Sequence, residues 1–572
     1  MDPLTAYARI WLLQQLEQAI LNGPGYALKG QPLLAIAYLI NLILAIRAAR
    51  TGSLHRILVA HAMVVVLYLW RLPYMWDEDH WAVRTDLVVL VAALAVSRTA
   101  KAGAELRAAV LAEACAIVPL IMSLFYSGSA MWKANEHFFD PRGSCGTMYL
   151  TTDLRLLVGE SVLLGTRAGQ ALLAFVAASA PALTLVVELS IAACLLAPPQ
   201  TTLRRCGVFL AMLLHLMISL TPAPLNVTEY SIVCLVRLFF LVPHATAAAL
   251  QDAYEMRASA KLACAAVAAA SGALNLNPLG VVGTPIYVAL FMLFARALYL
   301  DASTVPASSR SAAPLPAGTT YKKWHVAESI VFCYGLLALG LADQGPSKPF
   351  ANIRSSHGAN NHYFLPLGVL PRRLKGHPPS LGLGGGVYRV DDCNATVVNE
   401  VFPGELQLHS EADVRVMRAA GHTARLFSPA FAVIIAPFLA TPNAPGPSFV
   451  KYTLPARELR RLLHNARAAN DPFYLEYSHL PDYTGDGSGV GSGHAAVPSR
   501  VRVALDGRGK WTCTVLRRIS WLPVGETAAE CEPGELALLG PPPLWVRKLT
   551  LAWPYPVLEG EPEGQRGFCH GE

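Results

Sequence analysis

About ten apolar blocks crowd the chain before residue 345, and this limits what it can fold into more than any other feature. They cover 31–46, 57–72, 81–97, 108–130, 170–197, 203–221, 228–244, 260–276, 281–300 and 325–343. Several fall short of the ~20 residues that a ~30 Å hydrocarbon core requires, so tilted or half-buried helices with aromatic flanks are expected. The expected fold is a polytopic α-helical membrane bundle of about 8–10 spans over 31–343. An α+β or mostly β outer domain follows over 344–572. Only 15% of the 572 residues are charged, against ~25% in a soluble protein. The net charge of +7 comes without any basic run interleaved with aromatics, so nucleic acid is not an expected partner and membrane lipid is.

Segment 1–30 opens Met1-Asp2-Pro3 without a cleavable signal pattern. Its stretch Ala8–Leu21 carries Arg9, Gln14, Gln15, Glu17 and Gln18 and reads as an amphipathic helix lying at the interface. Lys and Arg alternate loop by loop. Arg47, Arg50 and Arg56, then Arg98, Lys101 and Arg107, then Arg204 and Arg205, mark one side, and Asp77-Glu78-Asp79 marks the other. The positive-inside rule makes the basic loops cytoplasmic and the C-terminal domain lumenal or extracellular. The expected setting is a multi-pass protein of the endoplasmic reticulum or another secretory or plasma membrane. The sequons at Asn226 and Asn394 fall on the outer side and suit a glycoprotein. So do Cys145, Cys393, Cys513, Cys531 and Cys569, five candidates for disulfides in an oxidising space.

In the outer domain, strands are expected at Phe431–Ile435, Phe449–Leu454, Phe473–Tyr477, Val501–Leu505, Lys510–Leu516 and Leu544–Ala552. Helices are expected after Ser410, ending at Gly421, and over Ala456–Ala469.

Polar side chains at membrane depth are costly and mark candidate sites. The densest group runs from Gly128 to Pro141 and includes Lys133, Asn135, Glu136, His137 and Asp140. A partly desolvated lysine can act as a general base, or it can snorkel and pair with Glu136 or Asp140. His80 opens the third block on the same side, and His215 lies inside the sixth. Each is a hydrogen-bonded packing residue or a proton relay. Glu188, isolated in an apolar helix, must be paired or protonated, and pairing with another helix is the simpler reading. His357 and His362 lack a Cys or carboxylate to complete a metal set, so no metal is expected.

Trp132-Lys133-Ala134-Asn135-Glu136-His137-Phe138-Phe139-Asp140-Pro141, with Ser144-Cys145-Gly146, resembles the Lys-x-Asn…Phe-x-Asp-Pro…Ser-Cys stretch of the horizontally transferred transmembrane domain family. That family includes the vitamin K-dependent gamma-glutamyl carboxylase. His80-Trp81, Glu188-Leu189-Ser190-Ile191 before Thr202-Leu203-Arg204-Arg205, His215 in its Leu-Leu-His-Leu helix, and Ser347–His362 follow in the same order. The resemblance implies a helix bundle with an outward-facing cavity and a reduced vitamin K-type quinone as cofactor. It also implies Lys133 as base, with His80 and His215 at functional positions. Asn135, His137 and Glu188 are the supporting polar groups. The activity implied is hydroquinone-dependent carboxylation of protein glutamate, a secreted protein or peptide being the substrate. Where the carboxylase reads Lys-Lys-Leu-Asp, this chain reads Trp132-Lys133-Ala134-Asn135. The competing expectation is a non-enzymatic membrane module whose outer domain binds or matures a secreted peptide. A transporter ranks below both, for want of an internal repeat.

Overall fold

The computed structural model describes residues 1–28, 31–72, 77–221, 227–273, 278–304 and 320–341. Beyond these it describes 351, 362–365, 369, 387–394, 407–408, 411–421, 427–428, 452–469, 472–480, 500–506, 510–518, 526–531, 542–550 and 555–556. The helices are α1 (Pro3–Leu28), α2 (Pro32–Thr51), α3 (Leu54–Arg71), α4 (Asp77–Val96), α5 (Ala104–Lys133), α6 (Glu136–Phe139), α7 (Cys145–Val158) and α8 (Glu160–Gly165). They continue with α9 (Arg167–Leu195), α10 (Thr202–Leu220), α11 (Thr228–Arg237), α12 (Pro243–Glu255), α13 (Ala258–Ala273), α14 (Pro278–Thr304), α15 (Thr320–Ile330) and α16 (Leu336–Leu339).

Among the described residues, six helices, α2, α3, α5, α9, α10 and the Val282–Ser303 part of α14, are long and apolar enough to cross a membrane. A seventh is possible if the pair Thr228–Leu241 and Pro243–Glu255, bent by 111°, counts as one span. The count is therefore lower than the sequence blocks suggested. The block at 81–97 lies in α4, which also holds Asp77, Glu78, Asp79, Arg84 and Asp86 and is too charged to qualify. The block at 260–276 becomes the shorter apolar helix α13. The block at 325–343 is divided by a π-turn, Val331–Gly335.

α1 differs most from expectation. Tyr7, Trp11, Gln14, Gln15 and Glu17 are all almost fully buried, and α1 packs on α2, α11, α12 and α14. Gln14 and Gln15 face inward because the bundle supplies partners: the Asn41 amide donates to Gln15 Oε1 at 2.6 Å, and Arg237 donates to Gln14 Oε1. At the far end, Gly52 closes α2 in the left-handed conformation, φ 61°. Arg107 donates there to both the Gly52 carbonyl and the Asp2 carboxylate, tying α5 to the ends of α1 and α2.

The C-terminal domain is α+β. Its strands are β1 (Val387–Cys393), β2 (Gln407–Leu408), β3 (Phe427–Ser428), β4 (Tyr452–Pro455), β5 (Phe473–Leu480), β6 (Arg500–Leu505), β7 (Trp511–Arg518), β8 (Glu526–Glu530) and β9 (Tyr555–Pro556). Seven form one antiparallel sheet in the order β8-β7-β6-β5-β1-β4-β9, and β2 pairs with β3. Alternation along the strands turns Leu475, Tyr477, Val501 and Val503 to one face. Helix α18 (Ala456–Ala469) covers that face with Leu459, Leu462, Leu463 and Ala466. Its bounds are those read from the sequence. Helix α17 (Glu411–Ala419) ends at Gly421, φ 85°, as its sequence indicated. Leu544–Ala552, expected to be a strand, instead begins with helix α19 (Leu544–Leu549). The expected strand at 431–435 lies outside the described residues.

Candidate functional site

The C-terminal turn of α5 is the best-built polar locus in the bundle. Tyr126, Ser129 and Lys133 fall at spacings of three and four, so they share one helix face. Across from them, α9 presents Glu188, the lone carboxylate of that helix. Lys133 Nζ donates to Glu188 Oε1 at 2.9 Å and to Ser129 Oγ at 2.7 Å, and Ser129 Oγ donates to the same oxygen at 3.0 Å. Lys133 is 3% exposed and Glu188 6%. The ammonium is thus neither snorkelling nor paired with Glu136 or Asp140. Asp140 is engaged by Arg142 instead.

Just below, Tyr126 Oη shares a hydrogen bond of 2.7 Å with His215 Nε2 on α10. Tyr230 packs on that imidazole at 5.1 Å between ring centroids, and Phe125 lies beside Tyr126 and Tyr230. Two polar atoms in this layer, Glu188 Oε2 and His215 Nδ1, are buried without a hydrogen-bond partner among the described residues. Lys133, Glu188 and His215 therefore lie on one stripe.

His80 is placed elsewhere. Its Nδ1 shares a 2.6 Å hydrogen bond with Tyr68 Oη on α3, and its ring packs on Phe332 of the π-turn. It meets the Lys133 region only indirectly, because Trp132 Nε1 donates to the Cys333 carbonyl of that turn at 2.7 Å.

Asn135 closes the end of α5. Its Oδ1 accepts from Phe138 N at 2.9 Å, capping α6, and its Nδ2 donates to Trp132 O at 2.7 Å and Ala351 O at 2.5 Å. His362 adds a hydrogen bond of 2.8 Å to Met131 O and a short antiparallel bridge to Asn135. The two ends of the Ala351–His362 stretch thus cover the α5 terminus. His137, on α6, is half-buried at the same end of the bundle.

Sequence reading missed a second buried constellation. Arg237 on α11 donates to Thr85 Oγ1 at 2.8 Å, to Asp86 Oδ1 at 3.3 Å and to Gln14. His61 Nε2 shares a 3.1 Å hydrogen bond with Tyr7 Oη and lies 3.8 Å from Asp86 Oδ1. All six residues are essentially inaccessible. The available signal was a charge inside each of two apolar blocks, Asp86 in 81–97 and Arg237 in 228–244. Their meeting joins α1, α3, α4 and α11 by hydrogen bonds, which suits a structural role.

Among the cysteines, Cys513 pairs with Cys531, and Cys145 is disulfide-bonded as well. Cys393, expected among the bridges, forms no disulfide: it is buried in β1 within the apolar core of the sheet. Asn226 and Cys569 lie outside the described residues. Asn394 is exposed at the end of β1, its Oδ1 accepting from Tyr474 N at 2.6 Å. No cluster of three or more His, Cys, Asp or Glu able to hold a metal ion exists among the described residues.

A helical bundle with six apolar helices of spanning length, joined to an antiparallel sheet domain, is the class that fold and composition define. Within it, residues 360–548, covering most of the sheet domain, match the model of a family described as a domain of unknown function (DUF8388). No curated protein matches the chain, and no solved structure does.

Proposed function

We propose that this chain is a membrane-embedded, carboxylase-like enzyme in which Lys133 is the base. The observation that carries the reading is the desolvated amine–carboxylate pair on one stripe with His215. A proton passed from Lys133 Nζ to Glu188 Oε1, 2.9 Å away, leaves an amine lone pair free to accept a proton from an acidic hydroxyl. Ser129, bonded to both, keeps the pair aligned during that exchange. The unpartnered Glu188 Oε2 and His215 Nδ1 suit the two-way hydrogen bonding of a quinol hydroxyl, and Tyr126, Tyr230 and Phe125 suit its ring. A reduced naphthoquinone, when bound, supplies the electrons that activate oxygen for removal of a glutamate γ-proton. Tyr126 would hold His215 in place, and the aromatic layer would keep water from the amine. The resemblance around Trp132–Gly146 supports the same assignment, together with an outer domain on the lumenal side.

A second reading keeps the bundle without chemistry, the sheet domain serving to bind or mature a secreted peptide. It is favoured by Lys133 having both its contacts filled inside the protein. Labelled carbon dioxide supplied with reduced vitamin K and a Glu-rich peptide separates the two. Membranes bearing the protein should incorporate label, and Lys133→Ala at equal folded amount should not. Absence of both incorporation and quinone epoxidation in the parent protein would reject the enzyme reading.

A further inference from the structure

The sheet domain carries an apolar face that its own core does not explain. In α19, Leu544 is 63% exposed, Trp545 43% and Leu549 62%, while Val546 is fully buried against the domain. Leu544, Trp545, Lys548 and Leu549 stand at i, i+1, i+4 and i+5, which puts them on one side of the helix. Isolated exposed leucines are ordinary on a protein surface, but three large apolar side chains within six residues form a patch.

The patch is held rigidly from behind. Arg461 of α18 donates to Val546 O at 2.7 Å and to Thr550 Oγ1 at 3.1 Å, and Arg547 shares a 2.8 Å hydrogen bond with His464. Its level relative to the bundle is fixed from the front. Lys548 Nζ, on the same side as the apolar trio, donates to Leu72 O at 3.1 Å. Leu72 is the residue that caps α3. The 18 residues of α3, at about 1.5 Å each, extend about 27 Å, close to a ~30 Å hydrocarbon core, so Leu72 marks the bilayer boundary. The last turns of α3 expose Val66, Leu69 and Trp70 as lipid-facing groups. The apolar face of α19 thus continues a lipid-exposed surface at the depth where Trp is enriched and Lys reaches for the interface.

We propose that α19 is a lipid-docking element, seating the sheet domain in the interfacial layer of the same bilayer that the bundle crosses, with Trp545 as its anchor. The occupant is lipid rather than a second protein because Lys548 already ties this face to the end of a spanning helix. The proposal needs only a membrane-embedded bundle and stands whether or not Lys133 is catalytic.

The full chain in phosphatidylcholine nanodiscs tests it, with and without bromine on the acyl chains near the headgroup. The fluorescence difference between parent and Trp545→Phe isolates the one indole. Docking predicts that this difference is blue-shifted and is quenched about two-fold or more by brominated lipid. A red-shifted, unquenched difference would place Trp545 in water and overturn the proposal. A blue-shifted but unquenched difference would mean that protein covers it, such as a second copy, and would overturn the proposal equally. As a second measure, Leu544→Ser/Leu549→Ser should raise amide exchange in 544–549 in nanodiscs while leaving β5 unchanged. No change at 544–549 would count against docking.

Discussion

At the scale of single residues, the Lys133–Glu188 pair is the most consequential contact in the bundle. Taking two charges out of water costs several kcal/mol per ion, and their attraction offsets this only while both are present. Removing one partner strands the other. Lys133→Met should therefore destabilise the protein by about 3–5 kcal/mol in nanodiscs. Lys133→Met/Glu188→Leu should recover most of that loss, since neither side then buries an uncompensated charge. Thermal unfolding of both variants checks this, and a single variant as stable as the parent would mean that the pair is not desolvated. Glu188 and Lys133 were each visible in the sequence as charges out of place. Their mutual contact was not, because nothing in one sequence specifies which faces of α5 and α9 meet. The tyrosines that hold His80 and His215 were invisible for the same reason: Tyr68 and Tyr126 stand out only once their partners are known.

Between elements, the join of α7 to α10 depends on a single carboxyl. Asp153 on α7 accepts from Thr221 Oγ1, which caps α10, at 2.8 Å. Burial pushes its pKa up to about 7. A folded-state value above the unfolded one makes the protonated form the stabilising one. That contribution is complete below the unfolded value of 3.8 and is lost as pH rises through about 7. Asp153→Asn, an uncharged isostere, should flatten the stability profile between pH 4 and 7 and leave the variant more stable than the parent above pH 7. Denaturation at a series of pH values decides this, and parallel profiles would refute it. The elements themselves were legible to different degrees. Strands β5, β6 and β7 and helix α18 follow from period-two and period-3.6 patterning. The segment at 544 misleads because Leu544-Trp545-Val546 is an apolar run with the aromatic and β-branched residues that strands favour. Two of its carbonyls, Val546 O and Thr550 O, accept instead from Arg461, 85 and 89 residues earlier. α1 misleads because its glutamines read as a water-facing stripe, whereas a large bundle can satisfy them internally.

For the whole molecule, among the described residues, α17 is bonded to one end of the bundle. Arg155 of α7 pairs with Asp413 of α17, and Glu160 of α8 pairs with Arg415. Met417 packs with Phe138, Cys145 and Met148. The ends of α3 and α5 lie at the same end of the bundle, so sidedness is one question for all of them. If the domain is lumenal, exposed Asn394 should carry a glycan, and Asn394→Gln should lose one step of glycosidase-sensitive mass. An unmodified parent chain made in a secretory membrane would argue against that orientation. The basic and acidic loops gave this expectation from sequence; the docking of α17 onto α7 and α8 could not be read there, since it depends on two segments far apart in the chain.

The covering of the α5 terminus also sets a timetable for synthesis. Trp132 waits for Cys333, 201 residues later, Asn135 waits for Ala351, 216 later, and Arg155 waits for Asp413, 258 later. At about 5–20 residues per second, a ribosome needs roughly 10–50 s to supply these partners. Throughout that interval the end of α5 is inserted but uncovered, with the Trp132 indole and the Asn135 amide still lacking these late partners. Membrane chaperones that shield polar residues during insertion therefore have a long opportunity to act at Trp132 and Asn135, whereas Lys133 meets Glu188 only 55 residues later.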